Sequence, residues 1–192
     1  MSTLKAFVDR FGLSVPGTSS SMVKERLRSF PSGRTLLDSI DAGVFDDGFF
    51  SVASVREDVP DLGGWQRWLP PEAFWYASSV FGVLYIAAPN GRAWLLHAQV
   101  GSILPTEFRL DEAVEKVAAP STNEGLLQRP LFRSWLADHG RLPAEMFLTS
   151  VPPVVESGEW RLENLQRSSA ENFLRQTAGL FEPLGPTPVS IM

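Results

Sequence analysis

The segment VFGVLYIAAPNGRAWLLHAQV, residues 80–100, decides the fold that this sequence predicts. It contains two apolar runs, Val80–Ala87 and Ala93–Val100, separated by the turn residues Pro89–Gly91. Asn and Gly adopt the positive φ angles of tight hairpin turns at little cost. We therefore expect two antiparallel strands joined by this turn.

The residues before this hairpin predict several short helices and two more strands. Apolar side chains recur in residues 4–11 with the spacing of one helix face. The predicted helices are residues 4–11, Met22–Phe30, Arg34–Ala42 and Ser54–Leu69, and the predicted strands are Gly48–Val52 and Phe74–Ser78. The stretch Gly12–Ser21 is expected to be a loop because it combines Pro-Gly with consecutive hydroxyl residues.

The residues after the hairpin predict mainly helices. Gly101–Phe108 is a connection or a short strand, and helices are expected at Leu110–Val117, Leu126–His139 and Glu163–Phe181. The order helices, strands, helices favours an α+β fold over a parallel βαβ sheet. We expect N-terminal helices, a central antiparallel sheet packed by helices, and a C-terminal helical segment. Residues 1–117 carry the sheet, 118–182 form a helical part of the same compact unit, and 183–192 form a mobile tail.

Composition excludes several function classes. The 192 residues are 44% hydrophobic and 20% charged, which is typical of a globular chain. The formal net charge of −5 argues against a protein that binds nucleic acid directly. The absence of cysteine excludes disulfides and thiolate chemistry. No apolar run is long enough for a membrane span and no secretory signal is recognisable, so we expect a cytoplasmic protein without membrane association.

No motif indicates catalysis, a metal or a cofactor. His97 and His139 are the only histidines, and neither has a second ligand at helix or hairpin spacing, so no metal site is expected. The sequence contains neither a G-x-S-x-G nucleophile motif nor a glycine-rich phosphate loop. We therefore expect no catalytic residues, no cofactor and no enzymatic activity.

Acidic and aromatic residues cluster between residues 46 and 68. Exposed tryptophans beside acids suit a protein–protein interface, where aromatic residues often anchor the contact. The candidate partner-binding residues are Asp46, Asp47, Glu57, Asp58, Asp61, Trp65 and Trp68. The alternatives are a solvated acidic face and, for residues 46–48, a simple turn entering a strand. A second hypothesis is a ligand-binding sensor domain with an aromatic pocket, in which His97 and Gln99 supply the polar contacts.

An ordered series of segments resembles a known family. The early segments are DDGFFSV (Asp46–Val52), WQRWL (Trp65–Leu69), SSVFGVLYI (Ser78–Ile86) and AWLLHAQVG (Ala93–Gly101), and the late ones are LPAEMF (Leu142–Phe147), VPP (Val151–Pro153) and ENLQR (Glu163–Arg167). Over residues 1–182 the chain resembles proteins with an N-terminal GAD-like domain joined to the C-terminal domain of type VI secretion immunity proteins, which neutralise DNase effectors. The SUKH immunity superfamily is similar in its strand-rich, aromatic and acidic style.

This resemblance implies a bacterial antitoxin, with residues 1–117 as the GAD-like part. Its expected partner is a cognate toxin, a nuclease effector of the DNase class, which it would neutralise by protein–protein contact. A nuclease must attract phosphate, so its active cleft is basic, and an acidic partner would be steered towards it.

Overall fold

The computed structural model describes residues 3–16, 22–53, 61–143, 146–157, 159–182 and 187–188. Its fold is α+β, as the sequence predicts. The helices are α1 (Thr3–Phe11), α2 (Met22–Arg28), α3 (Pro31–Ser39), α4 (Leu110–Lys116), α5 (Arg129–His139), α6 (Val154–Ser157) and α7 (Ala170–Phe181). The strands are β1 (Leu13–Pro16), β2 (Gly43–Phe45), β3 (Phe50–Val52), β4 (Phe74–Ser79), β5 (Val83–Ala87), β6 (Arg92–His97), β7 (Ser102–Arg109), β8 (Met146–Ser150), β9 (Leu165–Ser169) and β10 (Thr187–Pro188). A 3₁₀ helix spans Gly63–Trp68.

The central sheet is an antiparallel meander. Strands β1 to β7 lie side by side in chain order, and β10 adds two residues in parallel to the β7 edge. The predicted hairpin forms its middle, where β5 pairs with β6 over five residue pairs from Val83–His97 to Ala87–Ala93. Strands β8 and β9 form a separate antiparallel pair. The backbone N–H of Leu148 in β8 donates to the carbonyl of Val80 at 2.9 Å, which ties this pair to the main sheet.

Both faces of the main sheet are covered. In β5, Val83 and Tyr85 pack into a cluster with helices α1 to α5, whereas Leu84 and Ile86 pack into a second cluster with α7 and the 3₁₀ helix. Alternate side chains of a strand point to opposite faces, so all five β5 residues are buried. This double covering explains why the strand is a continuous apolar run rather than an alternating one.

The N-terminal helix is fixed by an aromatic cluster. Phe7 is fully buried and meets Phe45 of β2 and Phe50 of β3 edge-on, with ring centroids 5.1 and 5.7 Å apart. Such edge-to-face pairs add stability beyond the burial of apolar area. The periodic apolar face of residues 4–11 therefore packs onto the sheet, as predicted.

Several predicted elements differ from the structure. Leu13–Pro16, expected to be part of a loop, forms the edge strand β1. The predicted helix Glu163–Phe181 begins only at Ala170, because residues 165–169 pair with β8 instead. The C-terminal part predicted as helical therefore also contains a two-stranded sheet. Of the predicted helix Ser54–Leu69, residues 54–60 lie outside the described part of the chain, as do residues 183–186 and 189–192 of the predicted tail.

Within the described ranges, every helix is too short or too polar to cross a bilayer.

Candidate functional site

The acidic turn at Asp46 and Asp47 connects β2 to β3. Both residues have positive φ angles, 53° and 56°, a region that Asp tolerates better than most residues. The Asp46 N–H donates to the Gly12 carbonyl at 3.1 Å, and the Asp47 N–H donates to the Ser14 hydroxyl at 2.8 Å. The turn is thereby fixed to the start of β1.

Asp46 is used inside the fold. Its side chain is only 4% exposed. One carboxylate oxygen accepts a hydrogen bond from Arg129 Nε at 2.8 Å, and the other accepts one from the guanidinium of Arg133. Both arginines belong to α5, more than eighty residues later in the chain. Arg129 also lies over the Phe11 ring, at 5.2 Å from its centroid. Asp46 was predicted to bind a partner; because it is buried and ion-paired, its carboxylate is instead an internal clasp between the turn and α5.

The other predicted acids differ in their surroundings. Asp47 is half exposed, and its carboxylate lies 3.9 Å from Arg141 Nε. Asp61 is exposed and accepts the N–H of Gly63 at 2.8 Å, which starts the 3₁₀ helix. Glu57 and Asp58 lie outside the described residues. Asp47 and Asp61 are therefore the described acids of this set that solvent reaches.

The two predicted tryptophans are packed differently. Trp65 was predicted to anchor a partner, but it is fully buried, and its indole N–H donates to the Thr177 hydroxyl of α7 at 3.1 Å. Trp68 is partly buried, with its ring 5.3 Å from that of Trp65 and under the guanidinium of Arg67 at 5.0 Å. Trp65 thus serves the second core cluster, whereas Trp68 keeps one part of its ring accessible.

His97 ends strand β6 and packs against Trp160, with ring centroids 6.3 Å apart. Its Nδ1 is buried and has no hydrogen-bond partner in the structure. Burial lowers the pKa of this imidazole to about 4, against a smaller opposing effect of a backbone hydrogen bond. His97 is therefore neutral at physiological pH.

Gln99 bridges the main sheet and β8. It is 3% exposed, and its amide N–H groups donate to the carbonyls of Phe81 at 3.0 Å and Leu148 at 2.8 Å. Its carbonyl oxygen accepts the Ser150 N–H at 3.1 Å. Gln99 lies in the turn that follows β6, and of the two residues assigned to the sensor pocket, Gln99 lines the groove beside α7 and His97 does not.

Gln99 does line a groove, here called the α7 groove, between α7 and the end of β8. Its volume is about 340 Å³. Most of its accessible wall area is apolar, although five of its eight lining residues are polar. The groove is lined by the apolar residues Val151, Pro153 and Leu180 and by the polar residues Gln99, Thr149, Ser150, Gln176 and Thr177. No sequence pattern in the tryptophan-rich region points to this groove, because it forms only when α7 packs beside β8.

The chain that borders the α7 groove exposes apolar side chains. We call Val151–Glu156 the valine segment. Val151 is 48% exposed and Val155 is 45% exposed. Among the described residues, the other large apolar side chains with comparable exposure are Met22, Phe108 and Leu126, which lie on other elements. The run Val-Pro-Pro-Val-Val was the available sequence signal, since proline ends the strand and leaves valines outside it.

Backbone hydrogen bonds hold the valine segment in place. The Val151 N–H donates to the Asn164 carbonyl at 2.9 Å, and the Ser150 hydroxyl donates to the Pro152 carbonyl at 2.8 Å. The Glu156 N–H donates to the Pro153 carbonyl at 2.9 Å. The exposed valines therefore stand on a fixed support rather than on a freely moving loop.

The valine segment ends in an acidic residue, and two more acidic residues follow it in the chain. Glu156 is exposed, and the Glu159 and Glu163 side chains are 58% and 69% exposed. Arg161, between them in sequence, pairs with Glu159 and reaches Glu163 at 3.9 Å. Three acids against one arginine leave this stretch with a net charge of −2. Within the described ranges, no cluster of three or more His, Asp or Glu residues could hold a metal ion.

Comparison with known proteins bears on the fold. No protein-family model matches the chain, and no curated protein matches it. The crystal structure of Atu4351 from Agrobacterium tumefaciens is similar, with a TM-score of 0.64 and 18% sequence identity. The match covers 91% of this chain and 87% of that chain. At this identity the likeness concerns the fold alone.

Proposed function

We propose that this protein is an immunity protein that binds a cognate nuclease effector, of the DNase class, and neutralises it by protein–protein contact. In this proposal it acts in the bacterial cytoplasm, beside a type VI secretion system, without a cofactor and without catalysis of its own. The ordered segments that resemble the GAD-like and immunity family are the sequence support for it.

The observation that carries the proposal is the valine segment. Two valines, each nearly half exposed, stand on backbone that is hydrogen-bonded to Asn164, the residue before β9, and to Gln99 through Ser150. Fixed apolar side chains at the surface are typical of protein interfaces, because little conformational freedom is lost when they are covered. The acids that follow suit the basic surface which any nuclease must present to phosphate.

Co-expression tests the proposal. The chain is produced together with the protein encoded by the adjacent gene, and the pair is purified through a tag on one member. The proposal expects a stable complex, and it expects this chain to restore growth of cells that express the neighbour. A neighbour that is harmless, or that kills cells whether or not this chain is present, would contradict it.

A second candidate is a ligand-binding sensor. The observation in its favour is the α7 groove, whose volume of about 340 Å³ falls in the range of small-molecule sites. Its lining residues are three apolar aliphatic and five polar ones rather than aromatic. Thermal-shift screening of small apolar molecules distinguishes this candidate, since a ligand that fills the groove should raise the unfolding temperature of the isolated protein.

A further inference from the structure

We propose that the α7 groove and the valine segment form the surface that contacts the effector. In this arrangement the groove receives one apolar side chain of the effector, and the acids from Glu156 to Glu163 contact lysine or arginine residues beside it. This inference rests on the proposed function and names the site at which that function is exercised.

The apolar part of the argument concerns shape. The α7 groove has room for one large side chain, and Val151, Pro153 and Leu180 supply the apolar part of its lining. Val155 follows the lining residue Pro153 by two residues and is nearly half exposed. Interfaces draw most of their affinity from an anchor side chain that fills such a pocket, surrounded by residues that keep water out.

The charge argument identifies the kind of partner. Glu156 belongs to the valine segment, and Glu159 and Glu163 follow it within seven residues; Arg161 pairs with the last two but supplies a single positive charge. A nuclease binds phosphate through lysine and arginine, so its functional face is positive. Opposite charges around an apolar contact raise the association rate and exclude partners of the wrong charge. An apolar anchor flanked by basic residues is the partner surface that fits.

The internal contacts show why this surface is ready to bind. Gln99 makes three hydrogen bonds, one to Phe81 before β5 and two to Leu148 and Ser150 of β8, which fix β8 beside the groove. From α7, Thr177 lines the groove and accepts the buried Trp65 indole N–H. Both walls are thus fixed from the core side, so binding need not order them.

Matched variants of the full chain test the inference against the co-expressed neighbouring protein. The double variant Val151→Lys/Val155→Lys replaces the exposed valines, and Met22→Lys/Leu126→Lys makes the same change at exposed apolar residues elsewhere. Gln176→Trp fills the groove from α7, and Gln66→Trp places the same side chain at an exposed residue outside it. Thermal unfolding of each isolated variant checks that it is folded.

The expected result is a loss of affinity of at least about 100-fold for the valine and groove variants, with less than about 3-fold change for their controls. Glu156→Lys/Glu163→Lys should slow association by about 10-fold at low salt, and the difference should shrink as salt is added. If the wild-type chain binds and the valine and groove variants bind equally well, this inference is overturned while the proposed function stands. If the wild-type chain does not bind its neighbour, both are overturned.

Discussion

The clasp between Asp46 and α5 predicts that two neighbouring aspartates contribute very differently to stability. We compare Asp46→Asn with Asp47→Asn. Both substitutions keep the side-chain shape, and Asn tolerates the positive φ of these residues as well as Asp does, so the turn itself is not strained. Each variant removes one negative charge. The difference between them therefore measures the surroundings of each carboxylate.

The structure sets the size of the expected difference. Removing one member of a buried ion pair costs about 3–5 kcal/mol, because the remaining charge stays buried without its partner. Arg129 is 22% exposed and Arg133 is 44% exposed, so water replaces part of what Arg133 loses. We therefore expect Asp46→Asn to lower the free energy of unfolding by about 2–3 kcal/mol. Asp47 is half exposed and 3.9 Å from Arg141, so its substitution should cost less than about 0.5 kcal/mol.

Urea unfolding measures both variants. With a denaturant slope of about 2 kcal/mol/M, Asp46→Asn should move the midpoint down by about 1–1.5 M, while Asp47→Asn stays close to the wild type. Arg129→Met should lower the free energy of unfolding by at least about 1 kcal/mol less in the Asp46→Asn background than in the wild type, because the two residues interact directly. Equal midpoints for the two aspartate variants would refute the clasp.

Three further predictions concern other buried polar groups. Gln99→Met should lower the free energy of unfolding by about 2–4 kcal/mol and speed hydrogen exchange at the Ser150 amide, because three hydrogen bonds lose their partner; unchanged exchange at Ser150 would contradict the bridge. For His97, whose folded pKa is about 4, the unfolded chain takes up its proton near pH 6.5 while the folded chain does not, so stability falls as the pH drops from 6.5 towards 4. His97→Asn should reduce this loss of unfolding free energy by about 1–3 kcal/mol, measured by urea unfolding at pH 7 and pH 4.5. Identical pH dependences for the variant and the wild type would contradict the lowered pKa of His97. Burial raises the pKa of Tyr76 and Tyr85, the only tyrosines, so absorbance at 295 nm should stay flat through pH 10 in the folded protein; a step near pH 10 before unfolding would show that a ring is accessible.

The centre of the fold could be predicted because its signals are local. The β5–β6 hairpin depends on two apolar runs and a turn that lie within twenty-one residues, and its register follows from that turn. The helix face of residues 4–11 is equally local. These elements match the structure because each carries its own periodicity and its own boundary residues.

The elements that were missed depend on distant partners. Leu165–Ser169 has buried residues only at Leu165 and Ser168, and it continues directly into the amphipathic α7, so the sequence favours one long helix. Pairing with β8 overrides that preference, since it gives five residue pairs to a segment of weak intrinsic propensity. Strand β1 is similar, because its partner β2 is separated from it by two helices.

In the candidate site, too, some features depend on residues far away in the chain and others have a local cause. A run such as Asp46-Asp47 does not reveal which carboxylate is buried, because that depends on Arg129 and Arg133. The valine segment is different, since its exposure has a local cause. Prolines at 152 and 153 cannot donate the hydrogen bonds that would continue β8. Helix α6 is only four residues long, too short to cover Val151 and Val155. Exposed valines at the end of a strand lower the solubility of a protein. Valines that are held fixed beside glutamates therefore form a surface suited to binding another molecule.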